Sequence, residues 1–177
     1  MKGKLQGQNE IVMHASPERI WEILEDSENN LPRVLPMVQT CEIQSGGRER
    51  IGAVRTCDVD FGHKTGKTVE RCIESIAHRK LAHRIEDDSF GFSRRLSDFW
   101  FAFTLEPASA GTTLVRVETH YDPIGLVGRL MSALVAKRQF GKVRESALDN
   151  LKRLAESGAT TRADSSSRPF SPLGRHT

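Results

Sequence analysis

The 177-residue sequence has little of what marks several large functional classes. Its three cysteines, Cys41, Cys57 and Cys72, have no CxxC spacing and cannot all pair, which favours reduced thiols and a cytoplasmic protein. The N-terminal stretch MKGKLQGQNE has no apolar core, so we do not expect a signal peptide. No apolar run approaches the ~20 residues of a membrane span. A net charge of +3, evenly mixed with acids, gives no indication of nucleic-acid binding.

Metal and nucleotide motifs are also missing. The six histidines include no HExxH pair, and no Cys/His cluster occurs, so we expect neither a metal nor a cofactor. The glycine-rich stretch from Gly62 to Thr68 (GHKTGKT) is one residue short of a phosphate-binding loop. A strand pattern follows it, where a phosphate loop would need a helix N-terminus. We therefore interpret this stretch as a hairpin turn.

What the sequence does contain is one long helix pattern, from Pro123 to about Ser157. Apolar residues recur there at helical spacing, and Leu126, Leu130 and Leu134 follow one another every four residues. A helix of about thirty residues would be roughly 45–50 Å long at about 1.5 Å per residue. The sequence before it, Gln8 to Asp122, reads mainly as strands. We therefore predict a sheet wrapped around this helix, with a space between the two.

The predicted element order is strand, helix, short helix, six strands and long helix. The first helix opens at Ser16-Pro17-Glu18, with a capping side chain, a proline in the first turn and an acid near the helix N-terminus. The stretch Asn29–Pro32 is predicted to break the chain, leaving at most a short second helix at Arg33–Met37. The predicted strands are Glu10–Ala15, Val38–Gln44, Ile51–Phe61, Lys67–Ile76, Lys80–Glu86, Leu96–Leu105 and Thr112–Tyr121.

Short turns between these strands favour an antiparallel meander. The prediction is thus an α+β fold: a curved antiparallel sheet of about seven strands around the C-terminal helix, with one or two short helices after the first strand. We place the domain at residues 8–157. Residues 1–7 are predicted to be a flexible N-terminus. Residues 158–177, rich in Ser, Thr, Arg and Pro, have the composition of a disordered tail.

Several pieces of the sequence, in this order, resemble the START/SRPBCC (helix-grip) superfamily. They are ASPERIWEIL at 15–24, IGAVR at 51–55 with VER at 69–71, Gly111-Thr112, YDPIG at 121–125, and Ala147-Leu148 with Leu151. The superfamily includes START lipid-transfer domains, pathogenesis-related class 10 proteins, plant abscisic-acid receptors and bacterial polyketide cyclase/dehydrase-like proteins. The last branch is the most similar. The resemblance covers about residues 8–157 and implies a cavity between sheet and helix for an apolar or amphipathic molecule, but not one activity.

The predicted cavity wall combines strand alternation with this resemblance. Phe99, Phe101 and Phe103 share one strand face and would form an apolar wall, either around a ligand or as ordinary core. Trp100 falls on the opposite face, as an exposed residue or part of a dimer contact. The predicted ligand-binding residues, with the leucines near the mouth, are Arg55, Val59, Glu70, Phe99, Phe101, Phe103, Val117, Thr119, Leu130, Leu134, Val143 and Ala147.

Four residues are candidates for chemistry. In the resembling receptors the glutamate at the position of Glu70 points into the cavity, and Arg55 on the neighbouring strand would pair with it there. The alternatives are a structural ion pair or two solvated charges. His83 alternates with Leu81 and is either a general acid or base or a core histidine, and Tyr121 is either a catalytic or ligand-binding hydroxyl or a core tyrosine.

The resemblance also implies a gate, because the loop corresponding to Gly62–Lys67 closes the cavity in the plant receptors. We expect the loop at Asp88–Arg94 to take part. Basic residues of the long helix, such as Lys137 and Arg144, form either a solvated face or a transient membrane-surface contact. Three functions stay open: a carrier or sensor of a lipid, isoprenoid or polyketide-like molecule, a cofactor-independent aromatase/cyclase or dehydratase, and a protein-interaction module. We expect a monomer or homodimer.

Overall fold

A computed structural model describes residues 3–44, 47–109 and 111–164 of the chain. In this part of the chain, seven strands form one antiparallel sheet, as predicted. The strands are β1 Lys4–Met13, β2 Val38–Ile43, β3 Val54–Asp60, β4 Thr65–Ile76, β5 Lys80–Asp88, β6 Leu96–Ser109 and β7 Thr112–Pro123. Their order across the sheet is β1-β7-β6-β5-β4-β3-β2, so the strands from β2 to β7 form a meander and β1 joins it beside β7.

The helices complete the predicted α+β arrangement. They are α1 Pro17–Glu25, α2 Ser27–Val34, α3 Gly125–Met131, a π-helical turn Ser132–Ala136 and α4 Lys137–Asp164. The last three follow one another without a break and form the long C-terminal helix around which the sheet curves. The predicted helix-grip fold is therefore confirmed, although the long helix contains a π-helical turn that the sequence pattern did not indicate.

The first helix begins where the sequence predicts it. The Ser16 hydroxyl oxygen accepts a hydrogen bond from the backbone N–H of Arg19 at 3.3 Å, and Pro17 occupies the first helical position, where no intrahelical donor is needed. Ile20 and Trp21 lie on the buried side of α1. This cap fixes the start of the helix, and the apolar side fixes its orientation on the core.

The second helix differs from the prediction. It runs over Ser27–Val34, where the sequence predicted a chain break followed by a helix at 33–37, and Pro32 lies inside it. A proline within a helix removes one backbone hydrogen bond. Leu31 and Val34 are buried in the main core, and each buried aliphatic side chain stabilises the fold by about 1.5–3 kcal/mol. This burial offsets the cost of the proline.

The core lies between α4 and the inner face of the sheet. Residues three or four apart on α4 face inwards, and residues two apart on β6 and β7 face them. The buried residues of these three elements include Ala147, Leu148, Leu151, Ala155, Phe103, Leu105, Val115 and Val117. The helical spacing of α4 and the alternation of β6 and β7 therefore place their apolar side chains in one layer. The alternation on the sheet side of this layer is the one predicted from the sequence.

The ends of the domain extend beyond the predicted limits. β1 begins at Lys4, inside the segment predicted to be flexible, because its backbone pairs with β7 from Lys4 opposite Tyr121 onwards. α4 continues to Asp164, into the predicted tail, while residues 165–177 of that tail lie outside the described residues. Among the helices of the described chain, none combines the length and the apolar character that crossing a bilayer requires.

Two observations concern residues that the sequence singled out. Trp100, predicted to be either exposed or part of a dimer contact, is only 5% exposed, because the ring of His120 stacks on it with centroids 3.7 Å apart.

All three cysteines are buried free thiols. Cys41 and Cys57 face each other across β2 and β3 with Sγ atoms 2.8 Å apart. Burial raises the pKa of Cys72 to about 11, which keeps this thiol protonated at neutral pH.

Candidate ligand-binding site

A cavity of about 110 Å³ lies between the sheet and α4. Strands β2 to β7 form one wall, α4 forms the opposite wall, and α2 contributes at one side. Most of the lining is aliphatic or aromatic, with the exceptions Thr68, Glu70, Thr119 and Arg144. Apolar walls with a few fixed polar groups are typical of small-molecule sites.

Most of the sequence-predicted ligand-binding residues line this cavity. The nine that do so are Val59, Glu70, Phe99, Phe101, Phe103, Val117, Thr119, Val143 and Ala147. Arg55 is 2% exposed and lies behind Glu70, outside the lining. The sequence missed further lining side chains, including Phe61, Thr68, Ile85, Phe92, Phe140 and Arg144. Phe92 belongs to a loop, where strand alternation gives no signal, whereas Phe61 follows Val59 at the spacing of two within the predicted strand, so alternation could have found it.

Two loops contribute phenylalanine rings to the cavity wall and hold each other in place. The ring of Phe92 lies 5.5 Å from that of Phe140 on α4 and 6.3 Å from that of Phe61, measured between centroids. Lys64 donates from Nζ to the carbonyl oxygen of Ser89 at 2.7 Å, linking the hairpin turn to the following loop. These are the loops in which the sequence predicted a gate, and Phe92 lines the cavity between the sheet and α4.

The loop that carries Phe92 is organised around one carboxylate. Asp88 accepts hydrogen bonds from the backbone N–H groups of Phe90, Phe92 and Ser93, at 2.6–2.9 Å. Burial would raise the pKa of Asp88, but these N–H donors outweigh it and lower the pKa. Gly91 adopts a φ of 82°, which a residue with a side chain rarely takes. The loop is thus a defined turn that presents Phe92.

A buried charge network supports Glu70, the one acid among the described residues that line the cavity. Arg55 donates from Nε and Nη2 to Oε2 of Glu70 at 2.8 and 2.7 Å, and from Nη1 to Oε1 of Glu49 at 2.7 Å. Glu49 also accepts from the Ser27 hydroxyl at 2.6 Å and from Nε2 of His83 at 2.9 Å. Arg55 therefore joins a carboxylate on the cavity wall to a carboxylate behind it.

Burial and charge fix the protonation of this network. Burial would raise the pKa of Glu49, but the hydrogen bond from His83 and the charge of Arg55 hold it at about 2. Burial and the charge of Arg55 lower the pKa of His83, so the imidazole is neutral and donates Nε2–H to Glu49. Burial lowers the pKa of Arg55, yet Glu70 and Glu49 raise it well above its ordinary value. Glu49 and Arg55 thus stay charged at neutral pH.

The two predicted catalytic residues lie outside the cavity lining. His83 is 2% exposed, and its ring stacks behind Phe101 with centroids 5.7 Å apart. Tyr121 is fully buried, and its hydroxyl lies 2.9 Å from Oγ of Ser132 in the π-helical turn. In this geometry neither side chain reaches a molecule in the cavity. Both are core residues with satisfied polar atoms, which is the alternative that the sequence left open for each.

One group of side chains has the composition of a metal site. Glu49, Cys72 and His83 offer ligand atoms that all lie within 4.8 Å of one another. Glu49 already accepts hydrogen bonds from Arg55, Ser27 and His83. A divalent cation would also have to bind next to the guanidinium of Arg55, which repels it. The group is therefore better explained as part of the charge network.

The predicted positions of Leu130 and Leu134 are wrong. They are 59% and 68% exposed, and neither lines the cavity. The reason is the π-helical turn Ser132–Ala136, which accommodates an additional residue. One residue corresponds to about 100° of rotation in an α-helix. Residues before the turn are therefore out of step with the buried face of α4, and Leu126 points outwards with the other leucines, 82% exposed.

The comparisons with known proteins agree with this geometry. A family model described as polyketide cyclase / dehydrase and lipid transport matches residues 5–156. No curated protein matches the sequence significantly. Solved structures share the fold at low sequence identity, so these similarities establish the fold of this chain and not its activity.

Three of these structures illustrate the range. The protein XoxI from Bacillus cereus is 19% identical, with a TM-score of 0.64 over 86% of this chain and 96% of its own. A START superfamily protein from Mycobacterium smegmatis is 17% identical, with a TM-score of 0.65 over 85% and 97%. Norcoclaurine synthase from Thalictrum flavum, solved with dopamine and hydroxybenzaldehyde, is 14% identical, with a TM-score of 0.67 over 88% of both chains.

Proposed function

Because this chain belongs to the polyketide cyclase/dehydrase and lipid transport family, we propose that it binds a hydrophobic or amphipathic small molecule as a carrier or sensor. The observation that carries the proposal is the cavity between sheet and α4, walled largely by phenylalanine and aliphatic side chains. The ligand class we propose is a lipid, an isoprenoid or a polyketide-like molecule. Binding needs no cofactor, because burial of apolar surface supplies the free energy.

The volume of the cavity limits the size of the ligand that can bind without a movement of the protein. This volume of about 110 Å³ is below the roughly 300–1,000 Å³ of typical ligand pockets, while an engineered cavity of about 150 Å³ holds benzene. A single aromatic ring is therefore close to what the cavity can hold. Larger ligands require Phe92 and its loop to move away from Phe140. The fixed turn around Asp88 makes this a movement of the loop as a unit.

A second function is favoured by one specific observation. The cavity wall carries the carboxylate of Glu70, held by Arg55 and by the hydroxyl of Thr68, which donates to Oε1 at 2.9 Å. A fixed carboxylate in an apolar cavity can accept a proton from a bound substrate. The alternative is therefore a cofactor-independent cyclase or dehydratase acting on a polyketide-like chain. Norcoclaurine synthase, of the same fold, is an enzyme solved with two aromatic compounds bound.

The test is a ligand panel applied to the protein and to one blocked variant. Ala147 is 1% exposed and lines the cavity, so Ala147→Phe would fill the space with a ring. We expect aromatic and isoprenoid compounds to raise the melting temperature of the wild type but not of this variant. Ala133→Phe, at an exposed position of the same helix, is the matched control and should respond like the wild type.

Two outcomes would contradict the proposal. If no compound stabilises the wild type, and native mass spectrometry of protein from its own host shows no bound molecule, the protein is not a carrier. If Ala147→Phe binds as well as Ala133→Phe, the ligand lies elsewhere. Following the same mixtures for converted product separates the two functions, since a carrier returns its ligand unchanged and an enzyme does not.

A further inference from the structure

Arg144 is a buried cation at the cavity wall. It lies on α4, is 8% exposed, and lines the cavity beside Thr119 of β7. Nε donates to Oδ1 of Asn9 at 2.9 Å and Nη1 donates to Oγ1 of Thr119 at 3.1 Å. Both acceptors are neutral, and within the described residues no carboxylate forms an ion pair with Arg144. The guanidinium is thus oriented but not neutralised.

The contrast with Arg55 shows how unusual this is within the protein. Arg55 is buried more deeply, at 2% exposed, and two carboxylates surround it, on Glu49 and Glu70. Burial lowers the pKa of Arg144, whereas Glu70 and Glu49 outweigh the effect of burial at Arg55. A buried charge is costly unless a charge of opposite sign pairs with it, and among the described residues Arg144 has hydrogen-bond acceptors but no carboxylate partner. A residue with that cost calls for a partner from outside the chain.

The space for this guanidinium is built into the sheet. Gly7 lies on β1 where the register with β7 shifts, and a Cβ atom there would collide with Nη2 of Arg144. The absence of a side chain at position 7 thus allows the guanidinium to lie against the strand. Arg144 is held between this backbone, Asn9 and the cavity. It has little freedom to swing out to solvent in search of a counter-ion.

We infer that the ligand of this cavity carries a carboxylate that pairs with Arg144 while its apolar part lies against the phenylalanine wall. The inference rests on the proposed function and adds the chemical class of the ligand. A guanidinium presents its N–H groups as a planar fork that matches a carboxylate. Thr119, which Arg144 contacts, pairs with Phe101 across β6 and β7, so charge and apolar surface are adjacent. Glu70 cannot pair with the carboxylate of the ligand, because its own negative charge repels it.

The apolar wall of the cavity and this charge define a probe series. Phenylpropanoate, phenylpropanol and phenylpropylamine share one ring and one chain length, and are anionic, neutral and cationic at neutral pH. We expect isothermal titration calorimetry to show phenylpropanoate binding at least tenfold more tightly than phenylpropanol, since hydrogen bonds between two charged groups are stronger than those to a neutral hydroxyl. We expect phenylpropylamine to bind most weakly.

Variants assign the preference to one side chain. Arg144→Gln should lose the tenfold preference for phenylpropanoate over phenylpropanol, measured as the ratio of the two dissociation constants within the variant. Arg144→Lys, which keeps the charge but not the fork, should retain part of it. Lys142→Gln removes an exposed charge from the same helix and should leave the preference unchanged. The melting temperature of each variant shows whether it is folded, and the comparison of acid with alcohol in the wild type needs no variant.

The outcomes separate this inference from the proposal on which it rests. Equal binding of acid and alcohol by the wild type, or tighter binding of the amine, would overturn the carboxylate while leaving a hydrophobic ligand in place. A preference that persists in Arg144→Gln would also overturn it. If none of the probes binds and the broader ligand panel is equally silent, both the inference and the proposed function are wrong.

Discussion

Replacing Glu49 by glutamine should destabilise the protein in a pH-dependent way. The carboxylate is almost fully buried and accepts hydrogen bonds from Ser27, Arg55 and His83. Its pKa is about 2 in the folded protein, against an ordinary value of 4.5. A difference of about 2.5 units, at about 1.36 kcal/mol per unit, means that the ionised carboxylate stabilises the fold by about 3 kcal/mol.

The sign of the pH dependence follows from the lowered pKa of Glu49. A carboxylate whose folded-state pKa is lowered stabilises the fold fully above its unfolded-state pKa of 4.5, and this contribution is lost as the pH falls towards 2. At about pH 3 the linkage relation leaves roughly 1.5 kcal/mol. We therefore expect Glu49→Gln to be less stable than the wild type by about 3 kcal/mol at neutral pH and by about half of that at pH 3.

Urea unfolding followed by the fluorescence of Trp21, buried on α1, measures the free energy of unfolding at both pH values. Glu22→Gln is the matched control, because Glu22 has the same charge on an exposed side chain and should change little at either pH. A loss of less than about 1 kcal/mol for Glu49→Gln at neutral pH, or an equally large loss at pH 3, would show that the buried carboxylate does not stabilise the fold in this way.

Two further predictions concern the loop and the outer face of α3. Phe92→Ala should cost about 2–3 kcal/mol of stability and speed ligand association in stopped-flow measurements, because it removes the ring between Phe61 and Phe140; an unchanged association rate would count against the loop as a gate. Leu130→Glu should reduce sedimentation with phosphatidylserine vesicles, because Leu130 is an exposed apolar residue on the long helix, which also carries the exposed basic residue Lys137. Equal sedimentation of variant and wild type would exclude this face as a membrane contact.

Alternation along a strand was a dependable guide wherever one face of the strand lies on the core. In β6 the residues Phe99, Phe101 and Phe103 were predicted to share a face, and all line the cavity. In β7 the same holds for Val117 and Thr119. The period of two is a property of the extended backbone itself, so it survives whatever the strand packs against. Short turns likewise determined the antiparallel order, since parallel neighbours need long crossovers.

Residues whose roles depend on distant contacts escaped prediction. Glu49 lies in the loop between β2 and β3, where no periodicity applies, and it matters because Arg55 and His83 meet it from other strands. Arg144 resembles the exposed Lys142 in sequence, but the helix face on which it falls turns it into the cavity. Leu130 was misplaced because the π-helical turn is set by packing on the sheet and leaves no pattern of its own.

The π-helical turn also divides the long C-terminal helix into two parts that tolerate different substitutions. On its C-terminal side, substitutions meet the cavity wall and the core, so α4 is constrained at every inward position. On its N-terminal side, the exposed leucines of α3 do not line the cavity, so substitutions there leave the cavity wall unchanged. Loss of a single codon within Ser132–Ala136 would restore a uniform helix and rotate α3 by about 100°, carrying its leucines towards the sheet. The additional residue in the π-helical turn therefore lets the cavity wall on α4 and the outer face of α3 change independently of each other.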